Sequence, residues 1–170
     1  MSNQYEKGLI VVCDDSSEIK KDVLSVVDDL NCGYTQVNLK KALSLSEWQE
    51  LTLKIEDIVL LDICFRLEDI DFSGRDVFRN LVEWKKNGHL RGLSRVLINT
   101  TLKSEIDQPY ILNALPYTQG GFDVYAMEIP SLRSSIGYHP ETYKTLLFNK
   151  IMDIYRGKEI PINSRRSVRR

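Results

Sequence analysis

Three short apolar segments each run into an acid or a hydroxyl. Leu9-Ile10-Val11-Val12-Cys13 leads into Asp14-Asp15, Ile58-Val59-Leu60-Leu61 into Asp62, and Arg95-Val96-Leu97-Ile98-Asn99 into Thr100. Runs of β-branched and aliphatic residues too short for a helix read as strands buried on both faces, the pattern of a parallel sheet covered by helices. Ligand sites in such sheets lie beyond the carboxyl ends of the strands. Asp14, Asp15, Asp62 and Thr100 are therefore expected to converge at one edge, where three carboxylates and a hydroxyl suit a hard cation and a phosphoryl group.

The chain has 170 residues, enough for one well-buried α/β domain and short for two. Its 23 basic and 24 acidic residues, with 42% hydrophobic content, describe an ordinary globular protein rather than a disordered one. No apolar run approaches the roughly 20 residues a bilayer span needs, so membrane contact is not expected. The segment Met1 to Lys7 passes into a strand without a charged and apolar leader, and the expected location is cytoplasmic. Cys13, Cys32 and Cys64 have no metal-type spacing and read as reduced thiols.

Strands and helices alternate along the chain. Ser16-Ser17-Glu18 offers a helix cap, and Ile19, Val23, Val26, Val27 and Leu30 recur at helical spacing until Asn31 and Gly33. Tyr34 to Leu39 alternates weakly as a second strand, and Ser46 to Ile55 reads as a helix with Trp48, Leu51 and Ile55 on one face. After Asp62 come an acidic loop, Arg66 to Ser73, and a helix from Gly74 to Lys86 ended by Gly88. Pro109 interrupts the stretch after Thr100, Phe122 to Met127 reads as a fifth strand, and Pro140 opens a last helix carrying Tyr143, Leu146, Leu147, Ile151 and Ile154 at helical spacing.

Because parallel strands need crossover connections, this alternation predicts an α/β fold: a doubly wound five-stranded parallel sheet with helices on both faces. The expected domain spans residues 1–156. Residues 157–170 carry five basic residues and one acid and read as a basic, flexible tail.

These residues resemble the receiver domains of two-component response regulators, which have a flavodoxin-like fold. An acidic pair closes the first strand, a single Asp the third and a Thr the fourth, while Ser73-Gly74-Arg75-Asp76-Val77-Phe78 resembles the stretch that starts the helix after the phosphorylated Asp. The resemblance covers residues 8 to 156. It implies that Asp62 is the phosphoacceptor and that Thr100 contacts the phosphoryl oxygens. It also implies that Mg2+ is held by Asp14, Asp15, Asp62 and the backbone carbonyl of Cys64, and that Tyr125 is the aromatic switch residue. A histidine kinase or another signalling protein is the implied partner, and a homodimer is compatible with it. No DNA-binding output domain fits, so direct nucleic-acid binding is not expected.

The chemistry is coherent without the family name. A carboxylate attacking a phosphoryl group needs the accumulating negative charge neutralised, which a cation held by carboxylates does; without one, adjacent carboxylates raise one another's pKa. One departure touches the mechanism. Receivers carry a Lys at the end of the fifth strand, and here the register that places Tyr125 at the switch position puts Glu128 there. The expected function is thus an atypical single-domain receiver in phosphorelay signalling, switched at Asp62 and acting through protein contacts. A phosphorylation-independent pseudo-receiver used for interaction or dimerisation is the alternative, and a Mg2+-dependent phosphoryl-transfer enzyme or phosphatase is a weaker one. Beyond self-phosphorylation and dephosphorylation at Asp62, no enzymatic activity is expected.

Overall fold

The structure, a computed structural model of the chain, describes residues 8–65, 69–101, 103–130 and 139–164. In chain order the elements are β1 (Leu9–Cys13), α1 (Ser17–Leu30), β2 (Gly33–Gln36), α2 (Leu45–Gln49), β3 (Ile58–Leu61), α3 (Gly74–Lys86), β4 (Arg95–Thr100), α4 (Lys103–Ile106), α5 (Pro109–Leu112), β5 (Asp123–Glu128) and α6 (Pro140–Tyr155). The strands form one parallel sheet in the order β2-β1-β3-β4-β5, the flavodoxin-like order expected for this alternation.

Side-chain alternation divides the core into two layers. Val11, Val59, Val96, Ile98 and Val124 face Trp48, Val77, Phe78, Leu81 and Ile111, on the side of α2, α3 and α5. Ile10, Val12, Leu60, Leu97 and Tyr125 face Val23, Val27, Tyr143, Leu147 and Ile151, on the side of α1 and α6. Both faces of the three central strands are therefore dry, which is why those strands lack polar alternation. Burying each large aliphatic side chain contributes roughly 1.5–3 kcal/mol.

The helices flanking the acids start where the sequence says they should. Ser16 caps α1 by accepting from the Ile19 N–H, and Asn31 ends it in the left-handed region at φ 57°. Ser73 and Asp76 form a reciprocal capping box at the start of α3, which satisfies two otherwise orphan backbone donors. Gly88, at φ +87°, follows its end.

Three expectations are corrected. The helix expected over Ser46 to Ile55 is only α2, because Thr52 turns left-handed at φ 51°. Trp48 is fully buried and its indole N–H donates to the Ala42 carbonyl at 2.8 Å, whereas Ile55 is 54% exposed. The second strand ends at Gln36 rather than Leu39, since Asn38 caps a 3-10 turn.

The third correction concerns the segment expected to be a flexible tail from residue 157. Its described part is docked on β5, the edge strand. The Ile162 N–H donates to the Val124 carbonyl at 2.8 Å. The Asn163 side chain accepts from the Val124 N–H at 2.9 Å and donates to the carbonyls of Ala114, Leu115 and Phe122. Unpaired edge groups are thereby covered. Residues 165–170, with four of the basic residues, lie outside the described residues, as do residues 66–68 of the acidic loop. Among the described residues no helix is long and apolar enough to cross a membrane.

Candidate functional site

The sheet register sets the acids side by side. Cys13 pairs with Leu61 and Leu61 with Ile98, and the Asp62 N–H continues the ladder to the Cys13 carbonyl at 3.0 Å. The next residues along these strands, Asp14, Asp62 and Asn99, therefore stand in one row at the carboxyl edge. Asp15 joins them, and one ligand oxygen from each of Asp14, Asp15 and Asp62 lies within 4.8 Å of the others. The three expected acids thus meet.

Their surroundings make ionisation costly. Asp14 is only 3% exposed. Its pKa is pushed up to about 7 by burial and then by the Asp62 charge, against the Ser16 N–H, which donates to Asp14 Oδ1 at 2.8 Å, and the Lys20 charge. Burial also raises Asp62, to about 6, while the Cys64 N–H donating to Asp62 Oδ1 at 3.0 Å opposes it and Asp15 adds to it. The Cys13 thiol, buried beneath the cluster, is held well above its usual range by burial and by Asp14, Asp62 and Asp15. The site is a concentration of negative charge in a partly dry setting.

Thr100 is fully buried at the end of β4, with its Oγ1 3.7 Å from the Cys64 sulfur. Cys64 thus touches both halves of the site, Asp62 through its backbone and Thr100 through its side chain. Glu128 is exposed and pairs with Thr100 across β4 and β5. Tyr125 is not brought to the site: it pairs with Leu97 and packs into the layer under α1 and α6. Burial and Asp123 push its hydroxyl up to about 12, against Arg95. Period-two alternation puts residues 125 and 128 on opposite faces.

Several residues of this region were not singled out from sequence. Arg75, in the first turn of α3, grips Glu105 of α4 through two bonds of 2.6 Å, tying α3 to the segment after Thr100; Glu105 is 5% exposed. Asn99 is fully buried, its Nδ2 donating to the Tyr143 hydroxyl of α6. Among the described residues the Asn99 Oδ1 has no hydrogen-bond partner, a situation that costs about 1–3 kcal/mol. An Asn inside an otherwise aliphatic strand was the available signal for this pair. Asp14, Asp22 and Asp62 all act on the Tyr143 hydroxyl, so the Asn99–Tyr143 pair borders the acid row.

Among solved structures the chain is similar to two receiver domains. One is the beryllofluoride-activated DrrB receiver domain, at 20% identity over 85% of this chain and 97% of that chain, with a TM-score of 0.43. The other is a signal receiver domain of a two-component histidine kinase from Clostridium thermocellum, at 14% identity over 86% of this chain and 98% of that one, with a TM-score of 0.46. No protein-family profile matches the chain, and neither does any curated protein sequence.

Proposed function

We propose that the chain is an atypical receiver-type signalling domain in which Asp14, Asp15 and Asp62 hold Mg2+ and Asp62 accepts a phosphoryl group. The observation that carries this reading is the meeting of three carboxylates, within 4.8 Å, at the carboxyl ends of β1 and β3. The donor set fits the ion: all three ligands are hard oxygens, and burial, with the neighbouring carboxylates adding to it, raises Asp14 and Asp62 in a way that a divalent charge would relieve. The Cys64 carbonyl is the backbone ligand of this proposal. When bound, the cation supplies charge neutralisation at the attacking oxygen and the phosphoryl group.

The chain's own residues do the rest. The Cys64 N–H fixes the Asp62 carboxylate through Oδ1, orienting it for in-line attack on phosphorus, while the donor's leaving group takes the displaced electron pair. The Thr100 hydroxyl is the donor for a phosphoryl oxygen. Output then runs through protein contacts in the cytoplasm, with a histidine kinase or related signalling protein as phosphodonor.

A second reading, a pseudo-receiver interaction or dimerisation module that takes no phosphoryl group, is favoured by one observation: Glu128 sits opposite Thr100, adding an anion where a phosphoryl group needs a cation. Incubation with a small-molecule acyl phosphate and MgCl2, followed by intact mass measurement, separates the two. The first reading expects one phosphoryl adduct, lost in Asp62→Asn and in excess chelator. An unmodified wild type under conditions that saturate the metal leaves the pseudo-receiver.

A further inference from the structure

The row of acids has a neutral neighbour that neither the packing nor the phosphoacceptor chemistry requires. Asn99 follows Ile98 on β4 as Asp62 follows Leu61 on β3, which makes the amide the next member of the Asp14–Asp62 row. It is fully buried and its Oδ1 has no partner among the described residues, although the preceding Leu97 and Ile98 show that an aliphatic side chain suits this strand. Tyr143, itself fully buried on α6, receives the Asn99 Nδ2. With that bond the amide turns its nitrogen to the tyrosine and its oxygen away from it.

An amide oxygen only accepts, and ionised carboxylates only accept. Asn99 Oδ1 and the three acids therefore share one need, a source of O–H or N–H donors together with positive charge. A magnesium ion answers both, because it dehydrates reluctantly and keeps several waters in its shell. Groups in the outer shell of a metal site typically matter tenfold or more in affinity.

We propose that Asn99 is a positioning residue of the cation site, its Oδ1 accepting from a water on the bound Mg2+, with Tyr143 locking the amide in that orientation. This rests on the cation reading above and deepens it: the site selects a hydrated divalent ion through a neutral acceptor supplied by β4.

The test is calorimetric titration of MgCl2 into the full chain for wild type, Asn99→Val, Tyr143→Phe and Asp62→Asn, alongside the side-chain amide resonances of Asn99 in wild type. Asn99→Val should weaken Mg2+ binding about tenfold, while its metal-free melting temperature stays level or rises, since an orphaned acceptor has been removed. Tyr143→Phe should weaken binding less. The Asn99 side-chain resonances should move on saturation with Mg2+ in wild type, and should stay in place when Mg2+ is added to Asp62→Asn. Equal Mg2+ affinity, within twofold, for wild type and Asn99→Val overturns the inference while leaving the cation reading intact. If Asn99→Val does not fold, unmoved Asn99 resonances in Mg2+-saturated wild type overturn it instead. A wild type that binds no Mg2+ at millimolar concentration overturns both.

Discussion

Gly74, the first residue of α3, lies so close to the Asp62 carbonyl oxygen that a Cβ placed on it would stand 1.9 Å away. The same Cβ would stand 2.7 Å from the Ile63 Cα. Backbone, not a movable side chain, blocks the position, and the absence of a side chain at residue 74 is what lets α3 seat directly on the turn that carries Asp62. Gly74→Ala should therefore destabilise the protein by about 1–3 kcal/mol, the usual cost of overpacking, and should weaken metal binding by displacing Asp62. Denaturant melts with and without MgCl2 check both parts. An unaffected melt would mean that α3 shifts away without consequence.

The raised carboxyls predict how stability depends on pH without metal. Asp14 and Asp62 titrate near 7 and near 6 in the folded protein and near 3.9 when unfolded, so the folded state binds more protons between these values. Their contribution to stability is fully present below about pH 4 and is lost as pH rises through 6 and 7. Metal-free protein should be more stable at pH 5 than at pH 8, by at least about 1 kcal/mol, the equivalent of one pKa unit or less. Asp14→Asn should flatten the dependence, and MgCl2 should raise stability mainly at pH 8. Thermal melts across this range decide it.

Asn163 predicts that the end of the described chain is structural. Its amide bonds to four backbone groups around β5, and the residue is 3% exposed. Asn163→Ala would leave those groups buried without partners and should cost about 1–3 kcal/mol. Removing residues 165–170 should cost almost nothing, since a stretch of four arginines, a serine and a single valine has little apolar side chain to bury. Chemical denaturation of the two variants tests the contrast.

How much of this was legible in the sequence depended on whether the deciding interaction was local. β1, α1, α3, β4 and α6 follow from apolar periodicity and caps a few residues away, and the three acids follow because a parallel sheet places its strand ends together. Ser46 to Ile55 misled because its helical pattern is cut by a left-handed Thr52, which no residue type signals. Tyr125 keeps the expected spacing from Glu128, yet the same spacing sends it to the opposite face, where it joins Tyr143 in the layer against α6. Asn99 stands out in sequence only as a polar residue inside a strand. Its meaning depends on a tyrosine 44 residues later, and that contact exists only once α6 has packed.

The pairing of Glu128 with Thr100 predicts a handicap in phosphoryl binding. A carboxylate where a cation is needed repels the phosphoryl oxygens by on the order of one to a few kcal/mol at about 4 Å. Glu128→Lys should therefore bind phosphoryl analogues more tightly than wild type.

Mg2+-dependent binding of beryllofluoride, a phosphoryl mimic, to wild type, Glu128→Lys and Asp62→Asn tests the central claim most directly. Wild type should bind measurably only with MgCl2, Glu128→Lys should bind more tightly, and both should lose binding when Asp62→Asn is introduced. Binding that survives Asp62→Asn, or none even in Glu128→Lys at saturating MgCl2, would contradict a phosphoacceptor at Asp62.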